Sequence, residues 1–297
     1  MSETKQARWG QERRLEFIDF RLYWEGRVNR SDLIDFFGIS VPQASLDLTK
    51  YQEIAPQNAI YDRTEKAYLV SDSFSPVITP HDANPYLNQL LAVELGVSQI
   101  DSTYLGWAPP VAAVKAPSRI LNASDLRLVL RAIKSRRMIQ MTYQSMNQPV
   151  PSERTISPHA IAFDGSRWHI RAYCHQREDY RDFVFARILE ITLGESSPID
   201  PATDSVWQRE IEAVIEPHPA LPPAHRRAVE LDYGMTNGRL VLKTREALLL
   251  YVLRHLALLH EFDEPAWSNY LVLANRGALE PFFESHGFLG PETAKDQ

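Results

Sequence analysis

Cysteine is almost missing from this chain: Cys174 is the single one among 297 residues. That excludes an intramolecular disulfide and a zinc site built from cysteines, and it fits a reducing compartment. Long apolar runs are missing too. The greasiest stretch, 247–259, is interrupted by Arg254 and His255 and is too short to span a bilayer. The opening residues, MSETKQARWGQERR, are polar and lack the apolar stretch of a signal peptide. The expectation is a soluble, cytoplasmic protein with no membrane partner. Catalytic signatures are lacking as well: there is no Walker loop, Gly-x-Ser-x-Gly elbow, His-Glu-x-x-His helix or glycine-rich dinucleotide turn. The nine histidines are scattered rather than set at ligand spacing. No enzyme, cofactor or metal site is expected.

What is present is an ordinary globular composition, 44% hydrophobic and 24% charged, with an uneven charge distribution inside a net −6. Residues 1–72 carry ten basic and twelve acidic side chains, 73–117 one and three, and 196–297 nine and fifteen. Residues 118–195 reverse the balance with twelve basic against eight acidic, and eleven of the twelve are arginine. An arginine island in an acidic protein points to phosphate or carboxylate recognition, because the guanidinium is a planar, permanently charged fork.

Proline-bearing stretches separate three blocks. In the first, a helix over 11–24 with Leu15, Ile18 and Leu22 inward is ended by Gly26. Asn29 or Ser31 caps a short helix over 32–37, Gly38 makes a tight turn, and Ser40 caps a third helix over 41–53. Two β-prone runs, 59–61 and 67–70, join through 62–65. That order is a winged helix-turn-helix. The link, 71–117, is broken by Pro76, Pro80, Pro85, Pro109, Pro110 and Pro117. Within it, 85–100 reads as one helix with Leu87, Leu90, Leu91 and Leu95 at helical spacing. The second block opens with a helix over 124–135, its stripe Leu126, Val129, Leu130 and Ile133. Strands over 139–145, 155–163, 167–174 and 182–188 follow, with a turn at Asp164-Gly165. One helix and about five short strands suggest a strongly curved sheet or barrel. The third block reads as a hairpin (228–233, turn 236–238, 239–243), a helix to about 259, a strand over 270–274 and a final helix. Glu210, Glu212 and Glu216 look like the wet face of a helix.

On a helical wheel Ala44, Leu48 and Tyr51 face the core, leaving Pro42, Gln43, Leu46, Thr49 and Lys50 outward. Gln43 can read adenine bidentately and Leu46 can meet a thymine methyl or a partner subunit. Ser40 at the helix start, and Arg63 and Lys66 on the wing, suit phosphate contacts. The stretch Phe37-Gly38-Ile39-Ser40…Ala44…Asp47-Leu48 closely resembles the helix-turn-helix of DeoR-type bacterial regulators, departing at Ser45 and Leu46, where those often carry arginines. A reader this acidic needs a dimer or shape readout to bind usefully. The expected partner is therefore a double-stranded operator with an inverted repeat, bound by a homodimer. A three-helix interaction module without DNA is the competing reading.

In the second block, alternation puts Arg167, His169, Arg171 and Tyr173 on one strand face, and Phe183, Phe185 and Arg187 on another. Cations beside rings suit a nucleotide or single-stranded nucleic acid. Trp168 and Tyr143 can equally be core aromatics, Arg171 and Arg187 can pair with Asp182 or Glu190, and Cys174 reads as buried packing. The run Gly165-Ser166-Arg167-Trp168-His169-Ile170-Arg171-Ala172-Tyr173-Cys174-His175, followed by Arg181-Asp182-Phe183 and Arg187-Ile188, resembles the WYL domain. The naming tripeptide falls on Trp168-His169-Ile170, where two letters differ. Ser157-Pro158-His159 and Tyr143-x-Ser145 sit where that family has ligand-facing residues. With the winged helix before it and the α+β extension after it, the chain is similar to the WYL regulators of bacterial anti-phage systems, the BrxR and CapW type. The resemblance implies an α+β multidomain protein. Its parts would be a winged helix-turn-helix (1–72), a helical linker or dimerisation segment (73–117), a WYL ligand-sensing domain on an Sm-like or SH3-like β-barrel (118–195) and a small α+β C-terminal domain (196–297). It also implies a homodimeric repressor of a defence operon and a ligand site at Tyr143, Ser145, Arg154, His159, Arg171 and Arg187. An RNA- or single-strand-binding adaptor that uses the barrel alone is the alternative.

Overall fold

Capping residues and glycines punctuate the first of two compact units, 1–117 and 118–297. The computed structural model describes residues 3–78, 82–114, 119, 121–259 and 270–285, so Pro80 and Pro117 lie outside the described residues. Helix α1 (Glu3–Glu25) ends at Gly26, whose φ of 76° is left-handed, and the two-residue strand β1 (Arg27–Val28) follows. Asn29 rather than Ser31 caps α2 (Arg30–Phe37). Its side chain accepts the Asp32 N–H at 3.0 Å, and the Asp32 carboxylate accepts the Asn29 N–H at 2.7 Å. Such a reciprocal box satisfies two otherwise orphaned donors. Gly38, at φ 63°, turns the chain into α3 (Val41–Ile54), capped by Ser40. Strands β2 (Ala59–Asp62) and β3 (Ala67–Val70) form the wing, and β1, which the sequence reading did not anticipate, completes it in the order β1-β3-β2.

Ile18, Leu22, Leu33, Ala44, Leu48 and Tyr51 close the core between the three helices. The Tyr51 hydroxyl donates to Asp19 at 2.6 Å, and the same buried carboxylate accepts the N–H groups of Val77 and Ile78. That contact pins the chain leaving the wing onto α1. Helix α4 (Ala83–Glu94) is shorter than the expected 85–100, because Gly96 at φ 69° ends it and a 3-10 turn (Ile100–Ser102) follows. Of its leucines only Leu90 is buried; Leu87, Leu91 and Leu95 are 55%, 43% and 43% exposed.

The second unit opens with α5 (Ala123–Ser135), whose buried face is Val129 and Ala132, flanked by Leu126 and Ile133; Leu130 is exposed. Five antiparallel strands follow: β4 (Arg137–Tyr143), β5 (Ser152–Phe163), β6 (Trp168–Cys174), β7 (Asp179–Val184) and β8 (Ile188–Ser196). Their order is β7-β6-β5-β4-β8. The expected closed barrel is not seen among the described residues: β7 and β8 are the two edges, and a 3-10 turn (Phe185–Arg187) separates them. That turn also breaks the alternation expected of Phe183, Phe185 and Arg187. Both phenylalanines pack into the core, so they offer no stacking platform. Trp168, by contrast, is no core residue, at 47% exposed, while Cys174 is buried as expected.

The remaining elements are α6 (Ser205–Gln208), β9 (Glu210–Pro217), α7 (Pro223–Asp232), β10 (Leu240–Arg245), α8 (Glu246–His255), β11 (Leu271–Leu273) and α9 (Glu280–Ser285). Two expectations are corrected here. Residues 228–232 are helix, begun by Pro223 in its first turn, with Tyr233 as the C-cap, and not a strand. Residues 210–217 are a strand, the centre of the sheet β10-β9-β11. Ala213 and Ile215 point into the core, while Glu212 and Glu216 face outward and meet Lys243 and Arg239 across the ladder. The acidic face is wet, but its period is two.

The five-stranded sheet and this layer are joined by a buried charge network. Asp204, the N-cap of α6, accepts Arg171 Nε at 2.7 Å and Nη2 at 3.0 Å, and lies 2.9 Å from His159 Nε2. Arg171 Nη1 reaches Asp182 at 3.3 Å, and Asp182 accepts the Tyr251 hydroxyl at 2.9 Å. Burial by itself raises the Asp204 pKa, but hydrogen bonds from His159 and Arg171 and the arginine's charge outweigh it, leaving it well below the ordinary carboxylate range. A depressed carboxyl contributes stability that is complete above the unfolded pKa and is lost as pH falls through the folded one. Asp204→Ala strands Arg171 without its main partner and should cost about 3–5 kcal/mol of stability in thermal or urea unfolding at neutral pH. The deficit relative to wild type should shrink as the pH is lowered below the ordinary aspartate pKa of 3.8. An unchanged melting temperature at neutral pH would contradict this.

Candidate nucleic-acid interface and effector cavity

In the first unit, α3 presents the residues expected of a reading helix. Val41, Pro42, Leu46, Thr49 and Lys50 are exposed, and Leu46 is 62% exposed. An exposed leucine at the centre of a polar helix face stabilises nothing within its own unit. Thr49 and Ser45 turn their hydroxyls back onto the helix, to the Ser45 and Val41 carbonyls. Lys50 pairs with Glu53 at 2.9 Å on the surface, a contact that solvent screens and a phosphate can displace. Gln43 is half-buried, and its Nε2 donates to Asp47 at 3.1 Å. Asp47 is fully buried and held in turn by Arg14 Nε of α1 at 2.6 Å. The Gln43 amide is thus oriented by a relay from α1, and its carbonyl oxygen has no hydrogen-bond partner among the described residues. Ser40 is exposed at the helix start, and Arg63 and Lys66 are exposed at the wing tip, where Lys66 takes a left-handed φ of 51°. The sequence singled out Gln43, whereas the pair that orients it, Arg14 and Asp47, is separated by 33 residues and has no local signal.

The second unit holds a cavity of about 740 Å³ between the five-stranded sheet and α8. Tyr143, Ser145, Arg154, Arg171 and Arg187 all line it, so five of the six expected ligand residues meet in one place. Arg177 and Arg181 add two further guanidinium groups, and Tyr251 of α8 forms part of the wall. Among the described residues neither Arg187 nor Arg177 makes an ion pair, and Arg154 meets only Gln148 and a carbonyl, both at 3.4 Å. Arg171 is different: it is 7% exposed and engaged by Asp204 and Asp182, so it charges the floor of the cavity from within a network. Burial alone lowers its pKa, but these two carboxylates reverse the shift and raise it. Tyr143 is both core and lining: it is 6% exposed, stacks edge-on against Phe183 and accepts the Val184 N–H at 3.1 Å.

His159 is the expected residue that the structure does not bring to the cavity. A bulge between Pro158 and Ala160 sends it to a small recess with Ser157 and Ser197, where it is bound to Asp204. It acts on the cavity only through the carboxylate it shares with Arg171. Asp204 and Tyr251 were missed by sequence reasoning. The Asp-Ser pair before 205–208 carries an N-cap signal, but nothing local ties it to Arg171, 33 residues away.

Known proteins share the order of domains. Residues 10–92 match the family described as the BrxR transcriptional regulator winged helix-turn-helix domain, 124–193 the WYL domain, and 210–279 the BrxR transcriptional regulator C-terminal dimerization domain. The chain is 44% identical to the DNA-binding transcriptional repressor CapW of Stenotrophomonas maltophilia, over 91% of this chain and 92% of that one. It is 43% identical to CapW of Pseudomonas aeruginosa over 94% and 93%, and 45% identical to CapW of Escherichia coli over 85% and 84%. These names are those of regulators and not of enzymes. The chain belongs to the family of CapW DNA-binding transcriptional repressors, with the winged-helix, WYL and C-terminal domains in that order.

Proposed function

We propose that this protein is a dimeric repressor that binds an inverted-repeat operator through α3 and the wing, and whose operator affinity is set by a phosphate-bearing ligand, a nucleotide or single-stranded nucleic acid, in the arginine cavity. The observation that carries the ligand reading is that three arginines lining one cavity, Arg154, Arg177 and Arg187, have no carboxylate partner among the described residues, whereas Arg171 and Arg181 do. Guanidinium groups left unpaired in a concave site of this size suit an anionic small molecule or chain. The CapW relatives are named DNA-binding transcriptional repressors, and the matched C-terminal family is described as a dimerization domain. Two-fold pairing doubles the contacts of a reader that is acidic and weak by itself. The exposed Leu87 and Leu91 of α4, with Leu95 at its C-cap, favour a second contact between subunits in the segment 73–117. The controlled genes are a defence operon on the family resemblance.

Coupling requires the ligand to favour one arrangement of the two reading heads, since equal affinity for both shifts nothing. The segment 71–117 is the covalent route by which such a preference reaches the winged helix.

Gln43→Ala should weaken operator binding by about 1–3 kcal/mol per half-site and relax base preference at one position. Lys50→Ala should weaken all sequences alike and flatten the salt dependence. Binding isotherms unchanged in both variants would mean that α3 is not the reader. For the cavity, Arg187→Ala is the clean substitution, because Arg171→Ala also removes the cation that Asp182 and the buried Asp204 share. Arg187→Ala should fold, bind the operator as wild type does and no longer respond to the natural signal in a reporter strain. A full response in that variant would refute the assignment of the cavity.

A further inference from the structure

The turn end of the β5–β6 hairpin carries two large aromatic side chains that the core does not use. Phe163 and Trp168 are cross-strand partners, with ring centroids 4.9 Å apart, and they remain 51% and 47% exposed. They border a recess of about 200 Å³ together with Arg119, Ser166, Val184 and Ala186. Arg119 donates to Ser166 Oγ at 3.3 Å, and Arg167 at the same rim is held by Asp164 at 3.0 Å. Two exposed rings, tilted 40° to each other, sit beside the Arg119 guanidinium and the Arg167–Asp164 ion pair. Isolated exposed apolar residues are commonplace, but two exposed rings in contact, tilted by 40°, beside a guanidinium group have the composition of a base-stacking site.

The position of this recess relative to the arginine cavity gives it meaning. Phe183 lines the cavity and Val184 the recess; Ala186 lines the recess and Arg187 the cavity. Neighbouring Cα atoms are about 3.8 Å apart, so the two depressions flank a single turn, Phe185–Arg187. At about 200 Å³ the recess lies below the roughly 300–1,000 Å³ of self-sufficient ligand pockets. It suits one flat ring of a ligand held mainly elsewhere.

We propose that Phe163 and Trp168 form a base-stacking subsite for single-stranded nucleic acid whose phosphates occupy the neighbouring arginine cavity. The proposal rests on the cavity reading given above and sharpens it, because a ligand that spans both depressions is an oligonucleotide and not a mononucleotide.

Calorimetric titration of the full-length protein with thymidine monophosphate and with short oligothymidylates of increasing length, at one salt concentration, tests this. Wild-type affinity should rise with length. Trp168→Ala should lose on the order of 10- to 100-fold for the oligomers and nothing for the mononucleotide, while Trp168→Phe, which keeps a ring, should retain most of the gain. Phe163→Ala should behave as a weaker version of Trp168→Ala. Arg187→Ala should weaken every probe. Oligomer affinity unchanged in both Trp168→Ala and Phe163→Ala, alongside a loss in Arg187→Ala, would overturn the subsite and leave the cavity standing. Oligomers that bind wild type no better than the mononucleotide would also overturn it. Absence of binding by any probe to the wild-type protein would overturn both.

Discussion

The second unit depends on the ion pair between Arg171 and Asp204. A guanidinium at 7% exposure on β6 is tolerable only because a carboxylate at 1% exposure, presented by the N-cap of α6, accepts two of its N–H groups. The contact fixes the C-terminal layer to the sheet and brings α8 to the cavity wall, where Tyr251 hydrogen-bonds Asp182. It also decides which arginines are available to a ligand. With Arg171 held from behind, the accessible positive charge belongs to Arg154, Arg177, Arg181 and Arg187. A buried pair of this kind stabilises little beyond what a hydrophobic substitute would, but it specifies one arrangement and fails badly when half of it is removed.

The first unit applies the same device on a smaller scale. Arg14 holds Asp47, and Asp47 holds the Gln43 amide. Orientation before binding lowers the entropy lost on contact, which matters for a reader with so little positive charge around it. Dimerisation supplies the rest in this account, since two half-sites on one duplex convert two weak contacts into one useful affinity.

Local chemistry was legible in the sequence and long-range chemistry was not. Asn29, Gly38 and Ser40 announce the helix-turn-helix because caps and left-handed turns are decided within a few residues. The arginine island pointed to anion recognition, and five of the six residues that the family resemblance implied line one cavity. His159 escaped because a one-residue bulge changes where a side chain points without leaving a mark in the pattern. Phe183 and Phe185 escaped because a 3-10 turn interrupts the alternation just after the first of them. In the C-terminal layer the periods were exchanged. Residues 210–217 alternate strictly and were read by their glutamate spacing, while the helical start at Pro223 was passed over for the β-like run behind it. Arg171 with Asp204, and Arg14 with Asp47, each join residues 33 apart. Only the folded chain shows them.

If the cavity governs the reading head, the two binding events share one coupling free energy, and that energy must be the same measured from either side. The most direct measurement is the affinity of an oligothymidylate for the free protein and for the protein saturated with its selected inverted repeat. The companion measurement is operator affinity with and without saturating oligothymidylate. The account predicts that the oligonucleotide changes the operator dissociation constant by a factor equal to that by which the operator changes the oligonucleotide's own. An oligonucleotide that binds the cavity with the same affinity in the free and operator-bound protein would contradict it.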